Sequence, residues 1–299
     1  MNRKRDWKNY NASLINRGSL TIWIDDSLSK EWIEQPKTGR PKFSSHVIKM
    51  GLFLREVYKL TLRALQGFLS SILRMMNLSL PCPSYSLFCK RYNEVSSNLP
   101  RLSSKRPCDL VIDSSGFKVY GEGEWKVKIH GASKRRQWVK LHIAVDPKSS
   151  EIIAAIATDD RTADMQMLPK LIDASPKTIK RVAADGAYDY IFCRNYLDKQ
   201  GIEALIPPRK NARLRNEKEL SSRNDSIEMI HLLGGDKEAL SLWKKISGYS
   251  SRSLVETAFS RLKMILSEKL KSRKTCRQKV EMILRCHVMN KMIRLSGDN

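Results

Sequence analysis

The order of the hydrophobic runs between Asp109 and Ile206 leaves this chain few ways to fold. Three β-rich runs come first: DLVIDSSGFKVY (109–120), QWVKLHIAVD (137–146) and EIIAAIAT (151–158). They follow one another closely, which predicts antiparallel neighbours. A helix over 164–173, a strand over 178–184, a helix over 190–200 and a strand over 202–206 come next. The last strand stops at Pro207-Pro208. The sequence β-β-β-α-β-α-β, then helices, predicts an α/β domain with one mixed sheet covered by helices.

Upstream the texture is helical. After the GRPK break, Ser44 or Ser45 can cap a helix over 46–57, and helices over 61–77 and 84–94 follow. The last is short and basic. This pattern predicts an all-α, helix-turn-helix-like DNA-binding domain over 1–100, equally readable as a plain helical cap. The second domain then covers 101–299, with a helical insertion at 209–248 and a basic helical C-terminus.

Three acids stand where an α/β sheet gathers ligands. Asp113 follows the run LVI, on or at the end of the first strand, and Asp185 follows IKRVAA at a strand's C-terminal end. Glu256 lies in YSSRSLVETAFSRLK (249–263). Read as one helix from Tyr249 at about 0°, Arg252 falls at roughly 300°, Glu256 at roughly 340° and Lys263 at roughly 320°. Four polar side chains would then share one face, opposite Leu254, Val255, Ala258 and Leu262. The plain alternative is a surface helix with a solvated Arg–Glu pair. Asp109, Asp146, Asp159, Asp160, Asp164 and Asp189 compete for the acidic roles, and Asp185-Gly186 could be an ordinary turn.

If Asp113, Asp185 and Glu256 converge, their mutual repulsion calls for a cation. Hard oxygen donors suit Mg²⁺ or Mn²⁺, and two such ions can clamp both oxygens of an in-line phosphoryl displacement. A water or a DNA 3′-OH would be the attacking group. The six cysteines form no C-x-x-C pair and no histidines have zinc-ligand spacing.

Charge names the partner. Against 31 acidic residues stand 55 Lys and Arg, a net charge of +24, which a polyanion would neutralise. WKVKIHGASKRRQWVK (125–140) carries Lys126, Lys128, Lys134, Arg135, Arg136 and Lys140 between Trp125 and Trp138. In the connection after the first strand it would reach out beside Asp113, contacting phosphates, with the tryptophans packing or stacking on bases. The opening MNRKRDWKNYN lacks the apolar core of a signal peptide, and no run is long enough to span a bilayer. The expected location is the cytoplasm, with no membrane partner.

Several blocks together resemble one family: LINRGSLTIWIDD, LTLRALQGFLSSIL, DSSGFKVYGEGEWKVKIHG, ADGAYD, and Tyr249-x₂-Arg252-x₃-Glu256-x₆-Lys263. Over nearly its whole length the chain resembles bacterial insertion-sequence transposases of the DDE type, in the branch numbered five. The resemblance implies an RNase H-like catalytic fold, with Asp113, Asp185 and Glu256 binding the metals. It implies that Tyr249, Arg252 and Lys263 contact DNA phosphates near the cleaved end. The N-terminal region would recognise terminal inverted repeats. Some relatives carry a β-rich insertion before the glutamate; here helical-looking sequence stands in its place. The expected enzyme binds its element's ends, cleaves them and joins 3′-OH ends to target DNA, at least as a dimer, since one active site per end is the simplest geometry. A nuclease with no joining step, or a regulator that only occupies DNA ends, would use the same residues.

Overall fold

The computed structural model describes residues 6–24, 31–35, 39, 42–94, 108–119, 138–175, 178–209, 212–214 and 221–295. The chain forms two compact units. One comprises residues 1–100 with 265–267 and 272–299, the other residues 101–264 with 268–271.

The first unit is mainly helical. It holds α1 (Trp7–Arg17), α2 (Leu20–Trp23), α3 (Ser45–Val57), α4 (Leu62–Met75), α5 (Tyr85–Arg91) and the C-terminal helix Thr275–Arg294. Where the sequence predicts only helices, the structure also has a short antiparallel ladder, β1 (Ile33–Glu34) with β2 (Lys42–Phe43). Each of the three central helices starts on a hydroxyl cap that satisfies an otherwise orphaned amide. Ser44 accepts from the Val47 amide, Thr61 from Ala64 and Ser84 from Leu87. Leu65, Leu69, Ile72 and Leu73 form the buried stripe of α4, at the spacing of one helix face.

A buried charged quartet sits within this unit. The Arg285 guanidinium donates to Glu56 at 3.0 Å and to Glu281 at 2.7 Å. Arg55 pairs with Glu56 at 3.0 Å and donates to the Tyr92 hydroxyl at 2.7 Å. All four charged side chains are nearly inaccessible to solvent. Two positive and two negative charges therefore cancel away from water, where an unpaired one would be costly.

The second unit is built on a mixed sheet in the order β5-β4-β3-β6-β7, with β8 also pairing β3. Its strands are β3 (Cys108–Val119), β4 (Trp138–Val145), β5 (Ile152–Asp159), β6 (Ile179–Ala183), β7 (Glu203–Leu205) and β8 (Lys269–Leu270). The first three are antiparallel, as predicted. β6 and β7 run parallel to β3, because each is reached through a helical crossover. Those crossovers are α6 (Leu168–Asp173) and α7 (Ile191–Lys199). Leu110 and Ile112 of β3 join Ala144, Val182, Leu168, Leu171, Cys193 and Leu197 in one core. The second unit is thus a mixed sheet flanked by helices.

Among the residues described after β7 are two helices, α8 (Ser221–Leu232) and α9 (Lys237–Ile246). Gly248 then takes a left-handed conformation at φ 74°, which a side chain would strain. Here the structure departs from the sequence reading. Tyr249–Arg252 is a separate 3₁₀ turn, and the α-helix proper, α10, runs Ser253–Leu266.

Candidate active site

Register brings the first two acids together. β3 and β6 pair in parallel, and their last partners are Val111 and Ala183. Asp113 and Asp185 each lie two residues further on, so they emerge side by side where β6 leaves the sheet. β3 does not end there. It runs on and picks up β8 at Lys118 and Val119. Between the end of β6 and the start of β8, no strand among the described residues pairs with this edge of β3, and Arg252 and Lys263 reach β3 side chains over the same stretch.

The period-2 alternation of a strand puts Val111, Asp113, Ser115 and Phe117 on one face of β3. Lys263 of α10 donates to the Ser115 hydroxyl at 2.7 Å, and its ammonium lies 5.3 Å from the Phe117 ring centre. Arg252, just before α10, reaches Asp113 at 3.2 Å.

The third acid joins through Arg252. Its guanidinium lies 3.2 Å from Asp113 Oδ2, 3.8 Å from Asp185 Oδ2 and 2.7 Å from Glu256 Oε1. The two aspartates are oriented by their own backbone. Asp113 Oδ1 accepts from the Ser114 amide at 2.8 Å. Asp185 caps the 3₁₀ turn Gly186–Tyr188, its Oδ1 accepting from the Ala187 amide at 2.9 Å. Each aspartate thus fixes one oxygen and turns the other toward the same positive group.

Burial raises the Asp113 carboxyl above its ordinary pKa. The Ser114 amide and Arg252 pull it back, and the nearby Asp185 and Glu256 charges raise it further. Burial works against the charge on Arg252, but Tyr249 and the acids Asp113, Glu256 and Asp185 outweigh it and raise its pKa. The donor set is three carboxylates, with no thiol or imidazole, and it fits a hard divalent ion in charge and chemistry. As they stand, no three His, Cys, Asp or Glu among the described residues are spaced to hold a metal. These three acids surround a guanidinium instead.

The remaining candidates divide. Tyr249 is buried, close enough to Arg252 for the two groups to shift each other's pKa. Its ring lies 6.1 Å from that of Trp243 and 5.7 Å from the Lys244 ammonium, and burial lifts its hydroxyl to about 12. Lys140 stands on β4 and is paired with Asp164 at 2.6 Å. Lys126, Lys128, Lys134, Arg135 and Arg136 lie outside the described residues, as does Trp125. His142, beside Lys140 and Asp164, is buried and held down to about 4 by desolvation, so it is neutral at neutral pH.

Two features escaped the sequence reading. Ser115 anchors Lys263, and the signal for it was the strand alternation Asp113, Ser115, Phe117. Arg252 stands among the acids, a role for which its i,i+4 spacing to Glu256 gave half the signal.

A family model described as a transposase DDE domain matches residues 104–291. A second model with the same description matches residues 15–122. Among solved structures, the piggyBac transposase synaptic complex with hairpin DNA is similar at 11% identity. That match covers 94% of this chain and 81% of that one at a TM-score of 0.32, too loose a likeness to bear on the geometry.

Proposed function

Because the chain belongs to the transposase DDE domain family, we propose that it mobilises its own element, binding the terminal inverted repeats, cleaving the DNA ends and joining 3′-OH ends to target DNA. Family membership makes it an enzyme that cuts and joins DNA, and DDE domains in general depend on divalent metal. The finer reading concerns which residues act. Its main support is the convergence of Asp113, Asp185 and Glu256 on one point at this edge of β3.

In this reading the three carboxylates hold the divalent ions. When bound, the ions polarise the scissile phosphate and lower the pKa of the attacking water or 3′-OH. The chain's own contribution is placement. The Ser114 and Ala187 amides orient the two aspartates. Lys263, moored on Ser115, offers an ammonium to a phosphate of the end being cut. Arg252 and the basic stretch after β3 serve the same polyanion, and the net charge of +24 is the bulk term behind them. Lys140 would join that interface only by exchanging Asp164 for a phosphate. Magnesium or manganese, a cytoplasmic location and a dimer that pairs two ends belong to the same proposal. No helix among the described residues is long and apolar enough to cross a membrane.

The test is a strand-transfer assay. Pre-cut duplexes carrying the DNA that flanks the coding region are mixed with the full chain, Mg²⁺ and a plasmid target. Joined products with new 3′ linkages are expected, and EDTA should abolish them. Hydrolysis without joining would support a nuclease instead. Lys263→Ala should weaken binding of the same ends and reduce the slope of log K against log salt by about one phosphate contact. An unchanged affinity across salt would remove Lys263 from the interface.

A further inference from the structure

We propose that Arg252 is the resident counter-cation of the acid cluster, and that divalent metal loads only as its guanidinium leaves. Metal loading then depends on an anion that can take Arg252 away, and the DNA phosphate is that anion. The inference rests on the metal-binding reading of Asp113, Asp185 and Glu256 given above.

Three observations carry it. First, the guanidinium faces all three acids at 2.7 to 3.8 Å, through the oxygens that the aspartates do not fix on their own backbone. A metal would need those same oxygens at about 2.1 Å, so the two cations compete for one set of donors. Second, the acids are spaced for the guanidinium, and no three acidic, histidine or cysteine residues among those described are closer-set for a metal. Third, the fit leaves the arginine partly unsatisfied. Its Nε is buried without a hydrogen-bond acceptor, while Nη1 and Nη2 serve the acids. A phosphate accepts from the planar fork of a guanidinium through two oxygens. Moving to a phosphate would give Nε an acceptor and free three carboxylates together.

Charge runs the same way. Three carboxylates and one guanidinium carry a net −2. One divalent ion makes the cluster neutral if Arg252 stays and a second makes it positive, so loading of two ions drives the guanidinium out toward DNA. Without DNA, Arg252 stays on the acids most of the time, and metal binds only weakly.

The experiment is Mn²⁺ binding to the full DNA-free chain, read by the paramagnetic resonance of free Mn²⁺. A site blocked more than nine-tenths of the time loses about tenfold in apparent affinity. Arg252→Gln should therefore bind Mn²⁺ about tenfold more tightly than the wild-type chain. Arg252→Lys should also bind more tightly, because one ammonium cannot bridge acids through separate nitrogens. Equal affinity in the wild-type and Arg252→Gln chains would overturn the proposal. So would a gain in Arg252→Gln with none in Arg252→Lys, which would mark charge alone rather than the bridge. Adding Asp113→Asn to Arg252→Gln locates the ion. Loss of the tight site is expected, and its survival would overturn the metal-binding reading of the acids itself, a separate failure from that of Arg252.

Discussion

Replacing Asp185 with asparagine should abolish DNA cleavage while leaving binding to the element's ends intact, and Asp113→Asn and Glu256→Gln should do the same. The amide keeps the shape of the carboxylate but gives up the charge that a divalent ion requires. Losing a metal-held transition state removes about 4 kcal/mol, or about a thousandfold in rate. Binding should hold or tighten slightly, because each change removes a negative charge that opposes phosphate. Folding should survive as well. Partly exposed ion pairs such as Arg252–Glu256 contribute only about 0–1 kcal/mol. Asp185→Asn also keeps an oxygen to cap the Gly186–Tyr188 turn. Gel-shift and cleavage assays on the same preparation separate the two effects. Wild-type cleavage by any of the three variants would remove that residue from the site.

The second large effect concerns stability. Glu281→Leu should destabilise the first unit by about 3–5 kcal/mol. Glu281 accepts from Arg285 at 2.7 Å and from the Ser272 amide at 2.8 Å, and Arg55 lies 3.9 Å from it. Without it, two buried guanidinium groups share the single carboxylate of Glu56, and a buried amide loses its acceptor. Such a loss is a large part of the roughly 5–15 kcal/mol that holds a typical domain together. Urea unfolding followed by circular dichroism should show an earlier transition for the first unit. A shift worth less than about 1 kcal/mol would mean that the quartet adds nothing over an apolar filling. This variant differs from those at the active site, since its loss of activity should track loss of folded chain.

These residues also show what the sequence could and could not disclose. The strands and helices of the second unit were readable from periodicity and punctuation, because local patterns decide them. Asp185 could be placed past the end of its strand, while Asp113 lies in the middle of β3, and their pairing depends on the β3–β6 register, a long-range choice that no local pattern encodes. Tyr249 was read onto a continuous helix face. Tyr249–Arg252 winds instead as a 3₁₀ turn ahead of the α-helix, and the Tyr249 ring packs on Trp243. Arg252 showed its tie to Glu256 through i,i+4 spacing. Its tie to Asp113 crosses 139 residues and exists only once the sheet has formed. The Glu56–Arg285 pair, 229 residues apart, was invisible for the same reason.

The central claim is that these acids, brought together by register and by α10, hold the metal that cleaves DNA. A change of metal preference tests it most directly. Asp185→Cys replaces a hard oxygen with a sulfur that Mg²⁺ binds poorly and Mn²⁺ tolerates better. Cleavage by this variant should disappear with Mg²⁺ and return in part with Mn²⁺. Cleavage at the wild-type rate with Mg²⁺ would contradict the account.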